Sequence, residues 1–458
     1  MSSARNAIGI AVIGAGIIGL SVAYYLVKNH RLGAITLIDS RQPMSLTSAQ
    51  SGENYRNWWP HPVMTAFTDR SIDLMEAIAV ESGNRIAMTR RGYALVTRNP
   101  SPTELIEDLH RGYGDEAASS IRIHDLADSP CYRQAHSADW KEAPAGVDVL
   151  RHAGLIRRIF PYFADDIATV LHVRRAGSIS SQQLGQFMLE AVRAAGGRLL
   201  RGKILGVEGA APFRLAVQTP EGNEVLHADR LVNAAGPFFG QIAAMLGENP
   251  PVRCVYQQKI AFEDRGHAIA RDMPFAIDLD RQRLPWTAEE RLALADNPDT
   301  AALLAPMNGG IHCRPDGGDA GSWIKLGWAF NDQPSDPHDD EPIDPQFPDL
   351  VLRAASRLHP GLARYIGHLP RGARHYGGYY TMTEENLPLI GPMATAGAFM
   401  AGSLSGYGTM AACAAGELAA AWIADAPRPA YAASFSTARY DDQKLMTELT
   451  AGKAKGVL

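Results

Sequence analysis

The chain has 458 residues, 46% of them hydrophobic and 20% charged, with a net charge of −5. Its length exceeds what a single hydrophobic core serves, so two or three domains of a water-soluble globular protein are expected. The acidic balance, with no basic stripe, excludes a nucleic-acid surface, and no run reaches the roughly 18 uninterrupted apolar residues of a membrane span. Cys131, Cys254, Cys313 and Cys413 are scattered, with no C-x-x-C pair, and the fourteen histidines show no ligand spacing. These features fit buried thiols in a reducing compartment, with no metal centre. No signal peptide is recognisable, which makes the cytoplasm the expected location.

In chain order, the apolar run Ile8 to Ile13 breaks into Gly14-Ala15-Gly16-Ile17-Ile18-Gly19, and a helix-like stretch from Leu20 to Val27 follows. Gly14 suits a tight turn, Gly16 admits a pyrophosphate next to the backbone, and Gly19 lets helix and strand pack closely. A second strand, Ala34 to Ile38, ends in Asp39 and Ser40. Asp39 lies about 20 residues past the last glycine, where an acid on ribose hydroxyls is expected. The helix N-terminus offers free N–H groups and partial positive charge to phosphates. Together these features imply a dinucleotide site.

A small polar segment, Ser45 to Arg56, comes next, then a helix from Met64 to Glu81, a strand from Gly92 to Thr97 and a helix from Pro102 to Tyr113. An amphipathic helix from Leu184 to Ala195 runs into the strand Arg198 to Leu200. Short strands are expected at Ile204–Val207, Phe213–Thr219 and Glu224–His227. A separate buried strand follows, from Ala228 into the small-residue loop Ala234-Ala235-Gly236-Pro237. Val252 to Phe262 and Trp323 to Phe330 read as strands of another sheet. Between them, in Arg281 to Pro306, Thr287 and Glu290 form a capping box. Asp332 to Asp349, rich in Pro and Asp, reads as an exposed loop. Finally Ala398 to Gly402 is a strand, followed by Ser403-Leu404-Ser405-Gly406-Tyr407-Gly408 and a helix from Thr409 to Ile423. This unit repeats the opening design and aims a second positive helix end at the same crevice.

The motif residues Val12 to Gly19 with Asp39, the stretches Gly177–Gly202 and Ala228–Pro237, Glu384-Glu385-Asn386-Leu387-Pro388-Leu389-Ile390-Gly391-Pro392, and Phe399–Leu418 resemble the FAD-dependent amine and amino-acid oxidases. That group includes D-amino-acid oxidase, monomeric sarcosine oxidase and glycine oxidase. The resemblance implies an α/β fold in which a Rossmann-like FAD-binding domain is interrupted by a second, α+β substrate domain with a mainly antiparallel sheet. The FAD-binding segments are expected at 1–85, 168–248 and 368–458, and the substrate segments at 86–167 and 249–367. It further implies that Gly14, Gly16, Ile17, Gly19, Asp39 and Ser40 hold the adenosine half of FAD. Thr47 and Ser48 serve the pyrophosphate and ribityl chain, Val207 the adenine, and Ala235 and Gly236 cover the cofactor. Gly406, Tyr407, Gly408 and Thr409 lie at the flavin pyrimidine edge.

Lys325, in Trp323-Ile324-Lys325-Leu326-Gly327, resembles the lysine that promotes reaction with oxygen in sarcosine oxidase; a solvated strand lysine is the competing reading. Arg56 is a candidate carboxylate partner, and Tyr380, with Trp58 and Trp59, a candidate aromatic wall. Three positions depart from the family pattern. Gly378 stands where a cysteine tethers flavin, so FAD is expected to be noncovalent. Met410 replaces a carboxylate-binding lysine, and Ala329 a histidine. The expected activity is hydride transfer from the C–N bond of a secondary amine or amino-acid-like small molecule to flavin. The imine is then hydrolysed, and oxygen is the acceptor. The alternatives are a dehydrogenase serving a quinone or carrier protein, and a noncatalytic flavin-containing assembly protein in which Arg281–Pro306 is a partner-binding arm.

Overall fold

A computed structural model describes residues 7–129, 131–135, 140–298, 300–337 and 341–450. Two large sheets organise the molecule. The first is built on the strand Ala7–Ile13, which pairs in parallel with Ile35–Asp39 on one side and Gly222–Asn233 on the other. Ile10, Ala11, Val12 and Ile13 are all buried, as a central parallel strand requires. Arg198–Arg201 extends the sheet beyond Ile35–Asp39, and Ala398–Gly402 joins it beside Gly222–Asn233.

Gly222–Asn233 is one twelve-residue strand where two were expected. Its first half pairs antiparallel with Phe213–Thr219, and its second half runs parallel to Ala7–Ile13. The alternating burial of the first half gives way to the continuous burial of Leu231 to Asn233. That change of pattern reads as a chain break, although the backbone continues straight through.

The helix Ile17–His30 packs against the helix Gly408–Ile423, which has thirteen of its sixteen residues buried. The alanine-rich sequence of the latter is the reason for this fit. A β-carbon at Gly416 would lie 2.2 Å from the Ser21 hydroxyl oxygen, and the Ser21 hydroxyl donates to the Ala412 carbonyl at 2.7 Å. No helix among the described residues is long and apolar enough to cross a membrane.

The second sheet has nine strands, in the order Arg374–Met382, Arg253–Glu263, Trp323–Trp328, Ile311–Asp316, Phe275–Asp278, Tyr93–Thr97, Thr169–Val173, Val147–Leu150 and Ile121–His124. Its pairings are antiparallel except for two parallel ones, Phe275–Asp278 with Tyr93–Thr97 and Ile121–His124 with Val147–Leu150. Thr169–Val173 and Arg374–Met382 belong to this sheet, although both fall in segments expected in the FAD-binding domain. Each is satisfied by an antiparallel neighbour, Tyr93–Thr97 and Arg253–Glu263 respectively.

One face of the second sheet is apolar. Ile260, Phe262, Ile324, Leu326 and Trp328 pack beneath the helix Phe347–Leu358. That helix starts inside the stretch expected to be loop, because Phe347 is buried and anchors it; 338–340 lie outside the described residues. The opposite face carries a second apolar cluster around Tyr93, Leu95, Val149 and Leu171, and its polar part, on Arg253–Glu263 and Trp323–Trp328, meets the segment after the first strand pair. There the Lys259 ammonium donates to the Gln50 carbonyl at 3.3 Å, and Lys325 reaches Glu53 at 2.9 Å.

Candidate functional site

Gly14 adopts φ +106°, and a β-carbon there would lie 2.3 Å from the Ala234 carbonyl oxygen. At Gly19 a β-carbon would lie 1.9 Å from the Gly14 carbonyl oxygen, so these two glycines are demanded by backbone packing. The Asp39 carboxylate accepts the Ala15 N–H at 2.7 Å and the Arg41 N–H at 2.8 Å, which locks the acid beside the glycine turn. Ser40 is exposed directly after it.

Where the two strand–glycine–helix units converge lies a partly open cavity of about 120 Å³. Gly16 and Ile17 reach it from the first unit, and Thr47 and Ser48 from the short helical turn Thr47–Gln50. The Ser48 hydroxyl accepts the Ile17 N–H at 3.0 Å. Gly236 contributes from the end of the long strand, and Gly406, Gly408 and Thr409 from the second unit. Ser51 and Thr409 share a hydroxyl hydrogen bond of 2.8 Å across the two units. Tyr380 closes the cavity from the second sheet. A β-carbon at Gly406 (φ +86°) would lie 2.3 Å from the Tyr380 ring, so glycine is required there for the ring to lie against the turn.

The remaining expected residues do not line the cavity. Gly14, Gly19 and Asp39 act behind its wall, and Ala235 is half-buried beside Gly236. Val207 is part of an apolar cluster with Ile13 and Ile38. The Tyr407 ring is buried, with its edge to Trp59 at 4.9 Å and its hydroxyl donating to the Asn386 carbonyl at 3.0 Å. Arg56 is 1% exposed. Its guanidinium lies 4.9 Å from the Trp59 ring and 5.7 Å from that of Tyr93, and burial lowers its pKa. Lys325 is held by Glu53 at 2.9 Å and Asp316 at 3.4 Å, beside Arg314, which pairs with the same two carboxylates.

Sequence reasoning missed Lys259, Gln50, Ser403 and Ser405, all of which line the cavity. Lys259 follows Gln257 and Gln258 in a strand of mixed polarity, so no local pattern singled it out. Ser403 and Ser405 left no signal either, since their backbone angles, φ +59° and +39°, are set by the turn around them.

These residues fit a bound dinucleotide. The Thr47 and Ser403 hydroxyls are buried at the cavity with no hydrogen-bond partner among the described residues. The helices Ile17–His30 and Gly408–Ile423 begin at the cavity with no cap from the N-cap residue and no acid in the first turn; Ser48 takes the Ile17 N–H of the former, and the positive ends are otherwise left for an anion. No group of three or more potential metal ligands occurs among the described residues.

A family profile described as DAO, FAD dependent oxidoreductase, matches residues 9–422. No curated protein sequence matches the chain. Among solved structures the fold is similar to that of L-proline dehydrogenase from P. horikoshii, with a TM-score of 0.70, 17% identity, and coverage of 95% of this chain and 98% of that one. It is also similar to glycine oxidase from Geobacillus kaustophilus, with a TM-score of 0.69, 16% identity, and coverage of 94% and 98%. A third similar structure is iminodiacetate oxidase from Chelativorans sp. BNC1, with a TM-score of 0.66, 19% identity, and coverage of 93% and 98%.

Proposed function

The chain belongs to the DAO family of FAD-dependent oxidoreductases, and from that premise we propose that it oxidises the C–N bond of a small amine or amino acid, with dioxygen as electron acceptor. The observation that carries this reading is the cavity where the N-terminal ends of both helices meet Tyr380 and Lys259 of the second sheet. The similar structures of glycine oxidase and iminodiacetate oxidase support it. Bound FAD supplies a ring that accepts a hydride from the carbon next to the nitrogen.

Everything else falls to the chain. The Thr47 hydroxyl, Ser48 and the first helix end hold the phosphate-bearing part, while the Gly406 turn and the second helix end favour negative charge at the far side. Tyr380 and Leu404 exclude water from the reacting carbon. Burial there favours the neutral amine over its ammonium form, because desolvation disfavours charge. The nitrogen's proton leaves to solvent, and water hydrolyses the released imine to a carbonyl compound and an amine. Lys325 acts in this reading as a brace, its charge offset by Glu53 and Asp316.

Anaerobic mixing of the yellow protein with secondary amines, D-amino acids and N-substituted amino acids tests the assignment: at least one of these compounds bleaches the flavin band. A flavin inert to all of them supports an assembly role instead. The L-proline dehydrogenase likeness favours a second reading, with a quinone or carrier protein as acceptor. Slow reoxidation of the reduced enzyme in oxygenated buffer decides for it.

A further inference from the structure

Three cations that are not exposed, Lys259, Arg314 and Lys325, lie on the polar part of one face of the second sheet, and two of them are neutralised. Arg314 and Lys325 share Glu53 and Asp316, at 2.9 to 3.4 Å. Lys259 stands two residues further along the same face, opposite Gly327 where Lys325 is opposite Ala261. It is 7% exposed, lines the cavity, and pairs with no carboxylate among the described residues. Its ammonium has three donors, and the groups that meet it are the Gln50 carbonyl at 3.3 Å and the Tyr380 ring, whose centroid is 5.7 Å away. A buried ammonium supported by one long hydrogen bond and a ring face is under-compensated; it calls for an anion.

The surroundings are shaped for this lysine. A β-carbon at Gly327 would lie 3.0 Å from Lys259 Cγ and 2.3 Å from His312 Nε2, so the glycine makes the room that both side chains occupy. His312 stays neutral, held down first by burial and then by the Lys259 charge, and its Nδ1–H donates to the Gly310 carbonyl at 3.1 Å. It offers no negative charge. The helix Gly408–Ile423 carries no lysine or arginine, and Met410 is buried in the core, so the opposite wall supplies no competing cation.

We infer that Lys259 is the anion contact of the substrate chamber, and that the substrate is an amino acid whose carboxylate is held from the strand Arg253–Glu263 of the second sheet. The assignment of that carboxylate to a substrate rests on the proposed C–N oxidation; the anion site itself does not.

Acetate is the probe. Titrated into the yellow holoenzyme, it perturbs the visible flavin band, and Lys259→Met weakens its binding roughly ten- to a hundred-fold, as loss of a charged hydrogen bond does. Flavin content stays unchanged in the same sample, which separates charge loss from misfolding. Lys259→Arg keeps acetate binding within about tenfold of the parent, and Lys325→Met keeps it within about threefold, because that charge is already paired. Equal acetate affinity in Lys259→Met and the parent overturns the anion site. So does a shifted flavin midpoint potential with acetate binding intact, which assigns the charge to the cofactor. In the substrate arm, sarcosine bleaches the anaerobic enzyme at far lower concentration than dimethylamine, and Lys259→Met abolishes the difference. If no C–N compound bleaches the flavin while acetate still depends on Lys259, the oxidation falls and the anion site stands. If amines bleach it and neither carboxylate nor Lys259 matters, the reverse holds.

Discussion

Two glycines of the opening motif do different physical work, and substitution separates them. At Gly19 an added β-carbon would lie 1.9 Å from the Gly14 carbonyl oxygen, and backbone cannot yield. Gly19→Ala is therefore expected to lower stability by about 3 kcal/mol or more, the upper range of overpacking, seen as a large loss of melting temperature or of soluble protein. Gly16 has φ −72°, and its β-carbon would meet only the Ser48 hydroxyl, at 3.1 Å. Gly16→Ala is expected to fold, with stability changed by less than about 1 kcal/mol. It purifies with reduced flavin, because the methyl group enters the cavity wall where cofactor approaches the backbone. Absorbance at the flavin band against protein concentration measures this directly. The motif was legible because its spacing encodes these close approaches. Lys259 was not recognised, because nothing local says that its strand faces a cavity: that depends on Gly327 and Gln50, distant in sequence.

At the scale of elements, the sequence marks local ends well and partners badly. The Thr287 hydroxyl accepts the Glu290 N–H at 3.2 Å, and the Glu290 carboxylate accepts the Thr287 N–H at 2.8 Å; this capping box is as expected. The short helix it opens, Ala288–Asp296, has no buried residue. It is tied to the body by the Glu290–Arg353 ion pair at 2.6 Å, with the Arg353 guanidinium 4.1 Å over the Trp286 ring. Thr287→Ala is expected to cost about 1 kcal/mol of local helix stability. It speeds proteolytic nicking within this arm and leaves flavin content untouched. Strand partnership was less legible. Nothing in Thr169–Val173 or Arg374–Met382 names a partner, and only the pairing with Tyr93–Thr97 and Arg253–Glu263 assigns them to the second sheet. That pairing brings Gly378 to the cavity, with Gln50 and Thr47 side chains at ordinary contact from where its β-carbon would be. Since no thiol stands there, acid precipitation is expected to release all the flavin into the supernatant.

At the scale of the molecule, the two sheets are joined by a charged strap. Glu53, in the left-handed region at φ +59°, accepts the Ser181 N–H at 3.1 Å through one carboxylate oxygen. Through the other it accepts from Arg314 at 3.2 Å and Lys325 at 2.9 Å. Strain at a non-glycine residue persists only where the surroundings overdetermine it, and here four donors converge, the Ser181 hydroxyl being the fourth. Glu53→Gln leaves two cations facing Asp316 alone. A loss of about 2 kcal/mol is expected, below that of a fully buried pair because Glu53 retains some exposure. Flavin is released in step with unfolding, because the same segment carries Thr47 and Ser48.

The second sheet, together with the C-terminal end of the helix Phe347–Leu358 packed on it, also sets the response to acid. His172, His312 and His359 are each held neutral chiefly by burial, at about 3, 4 and 4 respectively. Each donates one ring N–H to a backbone carbonyl, of Arg91, Gly310 and Tyr162 respectively, a pattern that suits the uncharged ring. Above pH 6.5 the folded and unfolded chains hold these rings equally neutral, and no stability depends on them. As pH falls below 6.5 the unfolded chain takes up protons that the folded chain refuses, so stability drops until the folded rings titrate near pH 4 to 3. Each ring adds a slope of up to ~1.4 kcal/mol per pH unit over that window. Thermal unfolding of the holoenzyme between pH 7.5 and 5 is therefore expected to show a steep fall in melting temperature beginning near pH 6.5. Calorimetry at pH 5 in buffers of different ionisation enthalpy reads the uptake of up to three protons on unfolding. A melting temperature flat from pH 7 to 5 would mean that these rings open to water before the sheet does.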